Sequence, residues 1–142
     1  MTLGLSTFVH TTFADAVART PQALAEQGFG VLTEIDVKAT LKSKLGVEME
    51  DYLILGACNP ALAHHALEVD RQIGLLLPCN VVVRTDTSAD GCVLIEAVNP
   101  QMLVDVTGEP QLAGLAAEVS TKLHAALHTL AADPSLHTAP SK

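Results

Sequence analysis

The chain has 142 residues, of which 49% are hydrophobic and 3% aromatic, and its formal net charge is −8. This length suits one domain with a core of its own. The acidic charge, without a basic stripe interleaved with aromatic residues, excludes the usual nucleic-acid-binding classes. The longest apolar runs are far shorter than the roughly 20 residues of a membrane span, so we expect neither nucleic acid nor a membrane as a partner.

Cap and turn residues divide the chain into nine predicted elements. Thr12 and Asn59 are N-cap residues placed before helical patterns, and Gly28 and Gly46 close helices. Pro21 lies inside the first helical pattern and should kink or restart that helix. The predicted strands are 3–10, 31–36, 52–57, 79–84 and 92–98, and the predicted helices are 13–27, 37–45, 60–69 and 110–130.

The order of these elements favours an α+β fold. A hairpin at 79–98 beside interleaved helices predicts a single compact domain with a mostly antiparallel sheet packed by helices. The near-continuous apolar run at 52–57 predicts a central strand buried on both faces. We expect the domain to span 1–130 and a flexible C-terminal tail to occupy 131–142, where two prolines lie among small and polar residues.

The cysteines predict free thiols. Their number, three, is odd, and residues 1–4 lack the basic and apolar regions of a signal peptide. We therefore expect a cytoplasmic protein without a disulfide framework.

Two Cys-Asn pairs form the candidate functional site: Cys58-Asn59 in GACNP and Cys79-Asn80 in LPCNV. Asn59 and Pro60 fit an N-cap and the first helical position, so Cys58 would precede a helix N-terminus, whose dipole stabilises a thiolate. If the strands that carry Cys58 and Cys79 are neighbours, the two sulfurs could cycle between dithiol and disulfide. Alternatively, both cysteines are small buried hydrophobic residues at strand ends.

A metal site is a further alternative for the same cysteines, completed by His64 or His65. Adjacent helical residues point about 100° apart, so only one of these histidines could join such a site. His124 and His128 have the i, i+4 spacing that can clamp a metal on one helix face, but they lack a third ligand. Because no CxxC or HExxH spacing is present, we predict no metal and no cofactor.

The segments around the Cys-Asn pairs resemble the DUF302 family. They are GFGVLTEID at 28–36, YLILGACNP at 52–60, IGLLLPCNV at 73–81, and Asn99-Pro100 after the hairpin. The resemblance covers residues 3–130. It implies a compact α+β domain, topologically similar to half of a TATA-binding-protein fold and usually dimeric, with no established activity. Some relatives are fused to or occur beside thioredoxin-like or rhodanese-like domains, which hints at sulfur or redox chemistry.

Two functions follow as hypotheses. The first is a homodimeric small-molecule-binding or interaction domain, since no catalytic triad, GxSxG elbow or phosphate loop is present and the apolar composition leaves surface for a second subunit. Its predicted ligand-binding residues are Asn59, Pro60, His64 and Asn80. The alternative is a thiol-redox or sulfur-handling protein, with Cys58 as the catalytic nucleophile and Cys79 as its resolving partner.

Overall fold

The computed structural model describes residues 2–137. The strands are β1 (Gly4–His10), β2 (Gly30–Asp36), β3 (Tyr52–Cys58), β4 (Cys79–Thr85) and β5 (Cys92–Val98). The helices are α1 (Phe13–Ala25), α2 (Val37–Leu45), α3 (Pro60–Val69), α4 (Gln101–Thr107) and α5 (Ala113–Ala132). Short 3-10 turns lie at Arg71–Leu76, Pro110–Leu112 and Pro134–Leu136. The predicted α+β class and the antiparallel sheet are confirmed.

The strand order across the sheet is β1-β5-β4-β3-β2, and each pair of neighbours is antiparallel. This order brings the starts of β1, β2 and β4 and the ends of β3 and β5 to the same end of the sheet. We call it the motif end, because the segments that carry the family resemblance begin or end there. The opposite end, which we call the far end, carries the turn between β4 and β5.

Helices cover one face of the sheet, and the other face is largely exposed. On the covered face, Leu55 is fully buried, and α1 and α5 pack against the strands. On the other face, which we call the open face, Phe8 is 52% and Ile35 49% exposed. Tyr52 and Ile54 point to this open face and are only half-buried. The expectation that both faces of β3 are buried is therefore wrong, because α1 and α5 lie on the same side.

Helix boundaries follow the cap residues, with one difference from expectation. The hydroxyl of Thr12 accepts a hydrogen bond from the Asp15 amide at 3.1 Å, and Gly46 closes α2 with a φ of 68°. Pro21, however, lies inside a continuous α1 and does not restart it. The buried face of α1 packs against the core, and this packing outweighs the single backbone hydrogen bond that proline removes.

Helix α4 is an element without a counterpart among those predicted from the sequence. The Asn99 side chain accepts a hydrogen bond from the Gln101 amide at 3.1 Å, which starts the chain on its helical path. Leu103 is buried, and Gly108 ends the helix with a φ of 66°. The result is a short helix between β5 and α5 that forms part of the candidate site.

The C-terminal boundary also differs from the expected one at residue 130. Helix α5 continues to Ala132, and Asp133 then accepts a hydrogen bond from Arg19 at 2.9 Å. Leu136 is buried, so this part of the predicted tail is packed against the domain. Residues 138–142 lie outside the described residues, and flexibility there stays a prediction. Among residues 2–137, no helix combines the length and apolar character needed to cross a membrane.

Candidate functional site

The motif end of the sheet brings distant parts of the sequence onto adjacent strand termini. β2 starts at Gly30, β3 ends at Cys58 and β4 starts at Cys79. Asn99 and Pro100 follow β5 on the same side. Three internal or surface spaces also lie at this end of the sheet. The motif end is therefore the candidate functional site.

Asn59 holds the start of α3 against the turn after α1. Its side-chain oxygen accepts a hydrogen bond from the Leu62 amide at 3.4 Å, as predicted for an N-cap. A Cβ atom at Gly28 would lie 2.9 Å from the Asn59 amide nitrogen, and Gly28 has a φ of +86°. Glycine is thus required at position 28 by conformation and by space. Asn59 therefore caps α3 and packs against Gly28, and it also lines a small cavity.

The two cysteines are neighbours at the motif end of the sheet. Ala57 lies directly opposite Cys79 in the register of β3 and β4. Cys58 is the next residue and the last of β3, and it lines the same space as Cys79. Both thiols are free. A space of about 30 Å³, which we call the thiol cavity, is lined by Phe29, Cys58, Asn59, Leu62, Cys79 and Leu103, among others.

The environment of Cys79 disfavours the reactive form of its thiol. Burial raises the pKa of Cys79 to about 11, and the neighbouring Cys58 contributes to the same shift. At neutral pH the Cys79 thiol therefore stays protonated, whereas the thiolate is the species that attacks disulfides and binds metals. Cys79 behaves as a packed core residue.

Gly56 allows the chain to cross the open face at the motif end. A Cβ atom on Gly56 would lie 2.8 Å from Cγ of Pro78 and would overlap the Thr33 hydroxyl. The Pro78 ring and the Thr33 side chain therefore rest directly on the Gly56 backbone. The peptide bond before Pro78 is cis. This contact brings Pro78 onto the open face beside Asn80.

A groove of about 350 Å³ lies on the open face at the motif end. We call it the sheet groove. The side chains of Tyr52 and Asn80 have no hydrogen-bond partner among residues 2–137. Glu96 accepts a hydrogen bond from Arg84 at 3.2 Å, so its charge is compensated. The side chains that line the groove include Leu3, Tyr52, Leu76, Asn80, Val82 and Glu96.

A third space lies between the 3-10 turn at Arg71–Leu76 and helix α4. Its volume is about 100 Å³, and we call it the helix cavity. Its lining is apolar apart from Asn99, and it includes Leu76, Cys79, Val98, Met102, Leu103 and Val106. The Asn99 amide nitrogen donates to the Thr2 carbonyl at 2.9 Å. The Asn99 oxygen also has a partner in Gln101, so both ends of this amide are hydrogen-bonded within the protein.

The structure separates the residues predicted from the sequence. Cys58, Asn59 and Cys79 meet at the thiol cavity, whereas Asn80 is exposed in the sheet groove. Pro60 is an exposed first residue of α3 and lines none of the three spaces. The His64 side chain is 74% exposed and lies 3.7 Å from Glu68. The structure therefore places Pro60 and His64 away from the cavities.

Sequence reasoning missed several residues of the site, chiefly Tyr52, Glu96 and those of α4. Tyr52 and Glu96 lie on different strands, and only the sheet register brings them to one face. For α4 a signal existed. Met102, Leu103 and Val106 have helical spacing between the asparagine at position 99 and a closing glycine.

Residues that were considered as metal ligands do not form a cluster. His124 and His128 are exposed on α5. Within residues 2–137, no group of three histidine, cysteine or acidic residues is arranged to hold a metal ion.

Comparison with known proteins identifies the family. A family model described as a domain of unknown function, DUF302, matches residues 5–130. This chain belongs to the DUF302 family. It is also similar to the crystal structure of an uncharacterized conserved DUF302 protein from Bacillus stearothermophilus, with 30% identity and a TM-score of 0.82. That match covers 90% of this chain and 98% of the other. No curated protein matches the sequence. The family membership predicted from the GACNP and LPCNV segments is therefore confirmed.

Proposed function

We propose that this DUF302 protein is a dimeric small-molecule-binding domain whose ligand site is the sheet groove. The observation that carries the proposal is the groove at the motif end, with a volume of about 350 Å³. Ligand sites in proteins are typically concave, about 300–1,000 Å³ in volume, and mostly apolar with a few polar groups. The unpartnered side chains of Tyr52 and Asn80 supply such polar groups.

The thiol-redox alternative has less support from the geometry. The Cys79 thiol is protonated at neutral pH because burial raises its pKa to about 11. The thiol cavity, at about 30 Å³, has room for one or two water molecules rather than an organic substrate.

Filling the groove is expected to abolish ligand binding. In Val82→Trp the indole would occupy the floor of the sheet groove, so fragments that bind the wild type should lose at least tenfold in affinity. The measurement is saturation-transfer NMR with a library of small organic fragments. Leu94→Trp is the matched control, because Leu94 is half-buried on the open face but outside the groove lining. The groove is not the site if no fragment binds, or if binding survives in a folded Val82→Trp protein.

The dimer proposal rests on the open face. Five strands about 4.8 Å apart, each seven residues long, present roughly 550 Å² per subunit. Two such faces would bury about 1,100 Å², just above the roughly 1,000 Å² that a specific interface needs. Phe8 and Ile35 are about half-exposed apolar side chains on this face, and a second copy would remove them from water. The second copy would also cover the sheet groove.

A charge on the open face is expected to separate the subunits. The wild type should have about twice the chain mass of 14.9 kDa in light scattering after gel filtration, and Ile35→Lys should be monomeric. The reason is that the dimer interface would have to bury an unpaired ammonium group, which is strongly unfavourable. Glu34→Lys is the control, since Glu34 is an exposed neighbour that points away from the open face. A monomeric wild type, or a dimeric Ile35→Lys, would contradict the proposal.

A further inference from the structure

The three spaces at the motif end lie next to one another, and each shares lining residues with the next. The sheet groove and the helix cavity share Leu76 and Val98. The helix cavity and the thiol cavity share Cys79 and Leu103. The three spaces thus follow one another from the open face to the Cys79 thiol, separated by apolar side chains, and a movement of Leu76 would open an apolar route between the first two.

We propose that the ligand has an uncharged hydrogen-bonding head and an unbranched aliphatic tail. This inference rests on the proposed function of the sheet groove. The head lies in the groove beside Tyr52 and Asn80, and the tail passes Leu76 into the helix cavity. The ligand class is thus that of long-chain alcohols and amides.

The helix cavity defines the tail. The Asn99 side chain already donates to Thr2 and accepts from Gln101, and the other side chains of the lining offer only hydrocarbon, a thioether and a thiol. Apolar cavities of this kind stay dry and take up apolar ligands, and one of 150 Å³ holds the six carbons of benzene. By the same proportion, about 100 Å³ has room for roughly four carbons. An unbranched chain fits, because the tail must pass between Leu76 and Val98.

Leu76 is placed to open this route. It is 37% exposed and is the last residue of the 3-10 turn at Arg71–Leu76. The Leu77 amide closes that turn with a long hydrogen bond of 3.5 Å to Gly74. A change of side-chain rotamer at a partly exposed leucine takes picoseconds to nanoseconds, so the route can open without a change of fold.

The charges in the groove define the head. Glu96 and Arg84 form an ion pair at 3.2 Å, so the groove offers no uncompensated charge of either sign. A carboxylate head would lie beside Glu96 on a chain with a net charge of −8. The Tyr52 hydroxyl and the Asn80 amide can both donate and accept hydrogen bonds. An uncharged head that does the same is the complementary group.

Three probes separate the contributions of head and tail: 1-octanol, 1-butanol and octanoate, titrated at pH 7 by ligand-observed NMR. We expect 1-octanol to bind at least tenfold more tightly than 1-butanol, which is too short to reach the helix cavity. We also expect it to bind at least tenfold more tightly than octanoate, whose charged head is excluded. Octanoate binding as tightly as 1-octanol would overturn the proposed head.

Longer alcohols bind many apolar surfaces more tightly, so variants of α4 are needed to test whether the tail binds in the helix cavity itself. Val106→Trp and Met102→Trp should weaken 1-octanol binding to the level of 1-butanol and leave 1-butanol unchanged. Val47→Trp is the control, since Val47 is 45% exposed and lines none of the three spaces.

The outcomes distinguish this inference from the proposed function. If fragments bind in a Val82-dependent way but both α4 variants bind 1-octanol as the wild type does, the tail site is wrong and the groove stands. If neither fragments nor 1-octanol bind in a Val82-dependent way, both proposals fail.

Discussion

Replacing Phe29 with alanine is expected to lower the free energy of unfolding by about 3–5 kcal/mol. Phe29 is 1% exposed, is one of the largest fully buried side chains, and forms a wall of the thiol cavity. Its removal costs the transfer free energy of the ring and leaves a cavity that the neighbouring β-strands cannot fully close. Chemical denaturation followed by circular dichroism measures the loss, and the slope against denaturant should stay unchanged.

The control for this variant is Leu45→Ala. Leu45 is 70% exposed on α2, so its truncation should change the stability by no more than about 0.5 kcal/mol. The enlarged thiol cavity should also bind benzene, which would restore part of the lost stability. A loss below about 1 kcal/mol in Phe29→Ala would show that this side chain does not fill the core as described.

Replacing Gly56 with valine is the second change with a large expected effect, about 3 kcal/mol of lost stability. The new Cβ would lie 2.8 Å from Cγ of Pro78 and would overlap the Thr33 hydroxyl. A threonine side chain can rotate away, but the proline ring is fixed and must move with its backbone. Because Pro78 also lines the sheet groove, Gly56→Val should weaken 1-octanol binding even at temperatures where the protein stays folded.

Gly30→Val separates this steric effect from the general effect of a new side chain in a strand. Gly30 begins β2 at the same end of the sheet, and nothing lies within 4 Å of its added Cβ. Its replacement should be neutral or slightly stabilising, since glycine is unfavourable in strands. Equal losses in Gly56→Val and Gly30→Val would mean that the contact with Pro78 is not the cause.

Much of the fold was predictable because its boundaries are marked by local chemistry. The side chains of Thr12 and Asn59 cap helices as predicted, and Gly46 closes α2. Such interactions involve residues three or four positions apart, so the sequence contains all the information they need. Pro21 shows the limit of this local reasoning. Packing of α1 on the core keeps that helix continuous, and packing depends on distant residues.

The candidate site was less predictable, because it depends on which strands are neighbours. The sequence identified the segment with Cys79 and Asn80, but adjacent strand residues point to opposite faces. Cys79 is therefore buried in the core and Asn80 lies in the groove. Tyr52 reaches the same groove through the register of β3 with β4, and Glu96 through that of β4 with β5. A local sequence pattern does not show which residues of two strands lie opposite each other.

At the far end of the sheet, Tyr52 is the one terminal strand residue that lines any of the three spaces. The turn between β4 and β5 spans 86–91 there, and Asp86 holds its shape by accepting hydrogen bonds from Ser88. Because none of residues 86–91 lines the groove, a dye, an affinity tag or a tether to a sensor surface attached at Ala89 would stand outside it. The protein could then be immobilised or labelled with its ligand site left accessible.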